Sequence, residues 1–300
     1  MENIQNVLIL GAGTMGIQIG LQCAASGFDV MIYDPVASAL ESAKKRLVRQ
    51  GSLMVKNGRF PREKIKQGLE RISLTNDPET AGKDADLVSE SVPEDPALKQ
   101  KVLGQFHSIC EPHTLFTTNS STLLPSQLAP GTGRPDRFMA LHFHDCTISN
   151  VVDVMPHAGT SQETLTAVTD FARAIDQYPI VLKKEQNGYV FNTMLSELLG
   201  AALSLAAGEV AAVPDIDRAW MGIMGTRVGP FGIMDAVGLD TVYKITAHWA
   251  EKTGHPGKLA NADFLKSYVD GGNLGIKAGR GFYTYPHPEF MSPEFMEGIH

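Results

Sequence analysis

The feature that most constrains this 300-residue chain is a switch in sequence pattern near its start. The continuous apolar run Val7–Leu10 is typical of a strand buried on both faces of a parallel sheet. It meets the glycine-rich stretch 11–16, after which apolar residues recur at helical spacing until Ser26-Gly27. A second apolar run, 30–33, then ends in Asp34. A strand, a helix and a strand in this order predict a βαβ unit, and therefore an open α/β sheet.

The glycine turn has the spacing of a phosphate-binding loop, with Gly11, Gly13 and Gly16 between a strand and a helix N-terminus. The first glycine permits the tight turn, the second lets a pyrophosphate approach the backbone, and the third lets the helix pack closely. Asp34, at the end of the second strand, can accept the hydroxyls of an adenosine ribose. Its charge would repel a 2′-phosphate, which favours NAD over NADP. The alternative is a glycine turn with a helix-capping aspartate.

The alternation of apolar runs and helical stretches continues to about residue 185 and then stops. Five further strands are predicted at 72–74, 87–90, 115–118, 138–143 and 151–155. A polar helical hairpin is inserted around 38–70, with its turn at Lys56-Asn57-Gly58. We therefore expect a doubly wound, Rossmann-type α/β domain over 1–185, followed by an all-α domain over 186–300.

The second domain is predicted to open with a long helix, Tyr189 to Ala207. Its expected apolar stripe is Val190, Met194, Leu195, Leu198 and Leu203. Pro214-Asp215 and Gly229-Pro230 are each expected to begin a further helix.

Composition excludes several classes of protein. With 26 basic and 33 acidic side chains, the net charge of −7 offers no basic face for nucleic acid or anionic lipid. No apolar run is long enough for a membrane span, and because Met1-Glu2-Asn3 is acidic and polar we expect no secretory signal. Three cysteines (Cys23, Cys110 and Cys146) suit a reducing compartment. We expect a cytoplasmic enzyme with no nucleic-acid or membrane partner.

Polar residues follow two of the predicted strands. Glu94 and Lys99 come after the strand 87–90, where they could face the ligand crevice or be only a first-turn carboxylate and a solvated lysine. The run Thr117–Thr122 follows another strand, as either donors lining a cleft or a polar loop that caps a helix.

His142 lies where a buried strand ends, and Asp153 interrupts the next apolar strand. A buried carboxylate needs a partner, and a His–Asp pair across neighbouring strands would orient the imidazole as a general base. The alternative is a structural histidine. A metal site built from His142, His144, Asp145 and Cys146 is a third interpretation, but two of these four residues would have to turn around a strand end, and we expect no metal.

Taken together, these residues resemble the 3-hydroxyacyl-CoA dehydrogenase family over nearly the whole chain. The matching segments are the glycine turn, the Glu94/Lys99 pair, Asn119–Leu123, His142, Gly188–Asn192, Gly229-Pro230 with Asp235 and Gly238–Asp240, and Lys277–Tyr283. The resemblance implies NAD-dependent interconversion of a short-chain 3-hydroxyacyl-CoA, such as 3-hydroxybutyryl-CoA, and the 3-ketoacyl-CoA. It also implies a role in fatty acid metabolism and a homodimer formed through the C-terminal domain.

The resemblance also implies the roles of individual residues. The catalytic group is His142, Asp153, Ser121 and Asn192. The cofactor-binding residues are Gly11, Gly13, Thr14, Met15, Gly16, Asp34, Glu94, Lys99, Asn119 and Lys277. The substrate-binding residues are Ser121, Asp145 and Lys56.

Two departures from the family pattern lie beside the reacting carbon. The family usually carries His-Phe-Phe-Asn-Pro where this chain has His142-Phe-His-Asp-Cys146, and a glutamate where it has Asp153. Both affect the choice of substrate more than the reaction. One alternative is therefore a dehydrogenase of a free 3-hydroxy acid or sugar acid, similar to L-gulonate 3-dehydrogenases. Another is a non-catalytic NAD-binding sensor or structural protein.

Overall fold

A computed structural model describes residues 4–298 of the chain, so Met1–Asn3, on which the expectation of no secretory signal rested, lie outside the described residues. The chain divides into two compact units, one up to Val190 and one from Phe191 onward. Across residues 4–298, every helix is too short or too polar to cross a bilayer.

The first unit is built on one eight-stranded sheet. Its strands are β1 (Asn6–Leu10), β2 (Asp29–Tyr33), β3 (Ile72–Thr75), β4 (Leu87–Glu90), β5 (Leu115–Thr118), β6 (Phe138–Phe143), β7 (Val151–Met155) and β8 (Tyr178–Val181). Their order is β3-β2-β1-β4-β5-β6-β7-β8, and each neighbouring pair is parallel except β6 with β7. The chain reverses its direction of winding between β1 and β4, where open α/β sheets bind ligands. The predicted doubly wound sheet is confirmed.

Helices accompany the strands of this unit. They are α1 (Thr14–Ala25), α2 (Ala37–Lys56), α3 (Arg62–Glu70), α4 (Pro78–Gly82), α5 (Pro96–His107), α6 (Pro125–Leu128) and α7 (Gln162–Ala174). β4, β5 and β6 are buried along their whole length, including the polar residues at their carboxyl ends, which is typical of strands inside a parallel sheet. α2 and α3 lie in the region of the expected helical hairpin, and α2 continues to Lys56.

The second unit is helical across its described residues, as predicted. Its helices are α8 (Phe191–Ala207), α9 (Val213–Met224), α10 (Pro230–Val237), α11 (Leu239–Thr253) and α12 (Pro256–Asp270). The segment after α12 contains short 3-10 turns and two isolated bridges, which pair Gly275 with Arg280 and Arg280 with Thr284.

The closing motif of the chain is held by a buried carboxylate. Asp235 accepts hydrogen bonds from the backbone N–H groups of Phe282 and Tyr283, both at 2.9 Å, and from the Tyr285 hydroxyl at 3.0 Å. A Cβ at Gly281 would lie 1.9 Å from Asp235 Oδ1, so only glycine fits there. This part of the family pattern therefore has a structural basis within the second unit.

The predicted start of the first C-terminal helix is wrong, and its predicted apolar stripe is correct only in part. Tyr189 has φ +51°, which is incompatible with a right-handed helix, so α8 begins at Phe191. The buried residues of α8 are Leu199, Ala202, Leu203 and Ala206, whereas Met194 and Val190 are exposed. Of the predicted stripe, Leu203 is buried and Leu195 and Leu198 are half-buried, with Leu195 packed against the core of the second unit.

Candidate active site

A chain of three side chains links the loop after β5 to the β6–β7 pair. Ser121 Oγ lies 3.1 Å from His142 Nε2, and His142 Nδ1 lies 3.1 Å from Asp153 Oδ2. The backbone dictates the second contact, because β6 and β7 pair antiparallel with His142 directly opposite Asp153. The structure thus brings together three of the four predicted catalytic residues.

Asp153 is buried but remains ionised. Burial alone would raise its pKa, but hydrogen bonds from His142 and His144, and the attraction of both rings, hold the pKa of the Asp153 carboxyl below its usual value. The carboxylate therefore fixes the tautomer with the proton on His142 Nδ1, which leaves Nε2 on the Ser121 side as the basic nitrogen. Ser121 itself is exposed, so this nitrogen points toward the accessible end of the chain of contacts.

The ring of Tyr189 covers His142. The two rings are stacked at a centroid distance of 4.3 Å with 4° between their planes. The Tyr189 hydroxyl donates to Ser120 O at 2.6 Å, and burial raises the pKa of this phenol, which stays neutral. The sequence pattern placed Tyr189 only within a helix, whereas its φ of +51° keeps it outside α8 and its ring lies on the histidine.

His144 is a second imidazole on the same carboxylate. Its Nε2 lies 3.1 Å from Asp153 Oδ2, the oxygen that also contacts His142. The sequence pattern placed both histidines on one strand face but did not connect His144 with Asp153. His142, His144 and Asp153 are also a donor set that could hold a metal ion.

The loop after β5 is held by a charged cluster of Glu90, Glu94 and Lys99. Lys99 is buried, with its ammonium 2.7 Å from Glu90 Oε1, 3.1 Å from Val92 O and 3.3 Å from Glu94 Oε2. Three acceptors match the three N–H donors of the ammonium. The role of Glu90 was not predicted, although its place at the end of β4 was noted.

The two carboxylates of this cluster differ in their environments. Burial raises the pKa of Glu90 despite its contact with Lys99. Burial acts in the same direction on Glu94, but hydrogen bonds from Ser120 and Thr122 together with the Lys99 charge lower its pKa overall. Glu94 accepts from the Ser120 hydroxyl and from Thr122 N at 3.0 Å. It therefore positions the loop that carries Ser121.

The hydroxyl run 117–122 is mostly engaged by the protein itself. Thr117 Oγ1 donates to Val88 O at 2.9 Å, and Thr118 Oγ1 donates to Glu90 Oε2 at 2.6 Å. Asn119 Oδ1 accepts from Phe143 N at 2.7 Å, which ties the loop to the end of β6. Of the residues in this run that were expected to line a cleft as donors, three do line one: Asn119, Ser121 and Thr122.

The glycine turn at the start of α1 has the shape of a phosphate cradle. Gly11 has φ +106°, and a Cβ there would lie 2.8 Å from Ser91 O. A Cβ at Gly16 would lie 1.9 Å from Gly11 O, so both positions require glycine. A Cβ at Gly13 would meet nothing within 4 Å, so this glycine keeps open the space above the helix N-terminus.

The first turn of α1 is suited to an anion. Thr14 and Met15 begin the helix, Gly13 provides no side-chain cap, and the first turn carries no acidic residue. Helix N-termini of this kind bind pyrophosphate through backbone N–H groups. Asp34 lies beside the turn, where it accepts from Ala12 N at 2.9 Å and Val36 N at 3.0 Å. These residues fit an NAD molecule.

An arginine also reaches this turn, which sequence reasoning did not foresee. Arg46 on α2 donates through Nη2 to Ala12 O at 2.5 Å. It lies too far along the chain from Asp34 to be recognised as its neighbour from spacing alone.

A cleft of about 320 Å³ connects the start of α1 with the loop that carries Ser121. It is lined by Met15, Ser91, Val92, Glu94, Lys99, Asn119, Ser121 and Thr122. It therefore runs from the first turn of α1 to the serine that contacts His142, along the carboxyl ends of the central strands.

Two predicted substrate residues lie near the loop after β6. Asp145 is exposed, and its Oδ1 accepts from Thr147 N at 2.9 Å and Thr147 Oγ1 at 2.7 Å, so it shapes this loop. Lys56 is exposed at the end of α2, and the adjacent Asn57 donates to Thr147 O at 3.0 Å. Contact of either residue with substrate stays a prediction.

The remaining predicted residues belong to the second unit. Asn192 is the second residue of α8, and Lys277 donates to Asp240 Oδ1 at 2.5 Å. Their catalytic and cofactor roles stay predictions.

Comparison with known proteins agrees with this geometry. The NAD-binding domain of 3-hydroxyacyl-CoA dehydrogenase matches residues 6–186, and the C-terminal domain of the same enzyme matches residues 188–285. A probable 3-hydroxyacyl-CoA dehydrogenase of Caenorhabditis elegans is 32% identical over 290 residues, covering 95% of this chain and 97% of the relative.

Two solved structures share the fold over nearly their whole length. The structure of a diketoreductase acting on dicarbonyl compounds has a TM-score of 0.87 and 41% identity, with 95% of this chain and 100% of the other covered. An (S)-3-hydroxybutyryl-CoA dehydrogenase from Ralstonia eutropha has a TM-score of 0.84 and 28% identity, with 95% and 100% covered. The chain belongs to the 3-hydroxyacyl-CoA dehydrogenase family.

Proposed function

We propose that this protein interconverts a 3-hydroxyacyl-CoA and the 3-ketoacyl-CoA with NAD, using His142 as the general base. The observation that carries the proposal is the Ser121–His142–Asp153 chain of contacts, which ends at the cleft leading to the glycine turn. Bound NAD supplies the hydride chemistry, as an acceptor in oxidation and, when reduced, a donor in reduction.

The side chains of the protein handle the proton and the oxygen. In oxidation, His142 Nε2 takes the hydroxyl proton as the carbon–oxygen double bond forms, and in reduction it returns the proton. Asp153 stabilises the imidazolium because the negative charge lies 3.1 Å from Nδ1 in a buried site. The Ser121 hydroxyl, at 3.1 Å from Nε2, holds the position beside the reacting oxygen.

The other cleft residues are proposed to bind the two ligands. Glu94, Lys99 and Asn119 would meet the nicotinamide half of NAD, since they line the cleft beyond the glycine turn. Asn192 is proposed to bind the reacting end of the substrate, Lys277 the cofactor, and Lys56 and Asp145 the rest of the substrate. These four roles rest on the family resemblance.

A short acyl chain on CoA is the substrate that we favour. The altered segment His144-Asp145-Cys146 and the 41% identity to a diketoreductase acting on dicarbonyl compounds support a second candidate, a small free hydroxy or dicarbonyl compound. A non-catalytic NAD-binding role is disfavoured by the ordered Ser121–His142–Asp153 contacts.

One pair of substrates separates the candidates. NADH oxidation is measured with acetoacetyl-CoA and with free acetoacetate at matched concentrations, with His142→Gln as the control for the chemical step. Turnover that depends on the thioester supports the acyl-CoA assignment. Equal or better turnover of the free acid would support the second candidate.

We also propose that the second unit forms a homodimer and that the protein works in the cytoplasm. Ile223, Met224 and Val210 on this unit expose 84%, 58% and 69% of their surface, which supports a partner on the second unit. The three cysteines are free and buried, which supports a reducing compartment. Sedimentation of a single 32 kDa species at micromolar concentration would contradict the dimer.

A further inference from the structure

Asp153 is shared by two imidazoles. His142 Nδ1 and His144 Nε2 each lie 3.1 Å from the same oxygen, Oδ2, and the two rings meet edge to face at 4.9 Å. We propose that His144 is a positioning residue that weakens the hold of Asp153 on His142 and so sets the pH at which His142 works as a base. This inference rests on the proposed function, because it concerns the same base.

The arrangement follows from strand geometry. His142 lies in β6, directly opposite Asp153 of β7, and His144 is two residues further along. Residues two apart in an extended segment point to the same side, so both rings face the carboxylate.

Two donors on one oxygen divide its charge. A hydrogen bond to a buried carboxylate is charge-assisted, and each donor reduces what the other gains. While the His144 N–H donates to Asp153, this carboxylate stabilises the imidazolium form of His142 less than it would if His142 were its only imidazole partner. Without it, His142 would take a proton from water at a higher pH and would then be unable to accept one from substrate.

His144 also differs from His142 in exposure. Its side chain is 17% exposed, compared with 4% for the His142 side chain. The His142–Asp153 contact and the Tyr189 stack do not involve the His144 side chain, so a substitution of His144 removes none of their atoms.

Other charged groups lie around the pair. Tyr189 from the segment before α8 stacks on His142, and Glu90 and Glu94 act on Tyr189 electrostatically, with Lys99 between those two carboxylates. Asp145 adjoins His144 in sequence, and its Oδ1 accepts from Thr147. These groups are unchanged in a variant at residue 144, but the His144 ring also meets the His142 ring edge to face, so the test needs one variant that keeps a ring and one that keeps an N–H donor.

The test compares two variants that differ in one donor. His144→Phe removes the N–H and keeps the ring volume, whereas His144→Gln keeps an N–H donor that can reach Asp153. The pH profile of kcat/KM is measured for oxidation. We expect the acid limb of His144→Phe to move upward by about one pH unit. The limb of His144→Gln should stay near that of the wild type.

Two outcomes would overturn the proposal. One is an acid limb of His144→Phe that coincides with the wild-type limb, and the other is a shift in His144→Gln as large as that in His144→Phe. If the phenylalanine variant fails to fold, His144→Leu takes its place in the same comparison.

A second measurement is independent of turnover. The ring Cε1–H signal of His142 is followed by NMR against pH in the protein without ligands and is assigned with His142→Gln. We expect its midpoint to rise in His144→Phe as the acid limb does. A shifted midpoint in a protein that oxidises no hydroxyacyl substrate would refute the proposed function and support this inference.

A metal ion on the same residues would contradict it. Two imidazoles and one carboxylate are suitable ligands for Zn²⁺. Wild-type activity that is lost on dialysis against a chelator and restored by Zn²⁺ would assign the cluster to a metal and overturn the proposal. We expect activity to survive that dialysis unchanged.

Discussion

The ring of Tyr189 lies flat on the ring of His142, with 4.3 Å between the centroids and 4° between the planes. The stack closes one face of the imidazole, while the hydrogen bond to Asp153 restrains its edge. Two neighbours from different parts of the chain, Tyr189 and Asp153, therefore fix the orientation of the His142 ring.

Shortening Tyr189 should affect stability and catalysis separately. Tyr189→Phe loses only the hydroxyl that donates to Ser120 O, so unfolding free energy should fall by about 1 kcal/mol with kcat nearly unchanged. Tyr189→Ala also loses the stack, and misplacement of the base should lower kcat by about 10- to 100-fold. Urea unfolding and steady-state kinetics test both. Equal kcat in the two variants would show that the stack does not orient His142.

Lys99 should stabilise the protein mainly through Glu90. Lys99→Met leaves a buried carboxylate without its cation and should cost about 3–5 kcal/mol of unfolding free energy. Glu90→Gln in the same chain removes the unpaired charge and should restore part of that loss. Denaturant unfolding of the two single variants and the double variant measures the coupling, and simple additivity would contradict it.

Asp153 should make acid stability depend on its ionisation. Because its folded pKa lies below the ordinary 3.8, its contribution is present above that pH and is lost as the pH falls through the lower, folded value. The difference in unfolding free energy between wild type and Asp153→Asn should therefore shrink below about pH 3.8. A difference that is constant from neutral pH down to the acid range would contradict an ionised Asp153.

Asp34 should select NAD over NADP. Asp34→Ser removes the charge that disfavours a 2′-phosphate, and the ratio of the NADPH and NADH dissociation constants should fall by about 10-fold or more. Arg46, which donates to Ala12 O in the same turn, supplies a nearby cation. Fluorescence titration of both nucleotides provides the measurement, with Ser38→Ala on the exposed surface as a control. An unchanged ratio would remove Asp34 from cofactor selection.

The sheet was largely predictable because most of its strands begin with a short apolar run and alternate with helical stretches. The bounds of β4, β5, β6 and β7 coincide with the predicted ranges. β8 was missed, since Tyr178–Val181 contains a proline and is mostly exposed at the sheet edge. α7 was also missed, although Ser161 caps it with a side-chain hydrogen bond from Thr164 N.

The site was predictable where one strand position determines a contact. His142 and Asp153 follow from strand ends and from the cost of burying a carboxylate. The roles of Tyr189 and His144 could not be predicted. Tyr189 depends on a positive φ, and His144 depends on sharing one oxygen of Asp153 with His142, and a sequence pattern does not contain this geometry. Lys99 was expected at the cofactor, and its buried contact with Glu90 depends on how α5 packs beside β4.

The most direct measurement of the central claim is the turnover of His142→Gln beside its affinity for NADH. If His142 is the general base, kcat should fall by about 10²–10⁴-fold while the NADH dissociation constant stays at the wild-type value. Near-normal turnover with intact NADH binding would show that another group moves the proton.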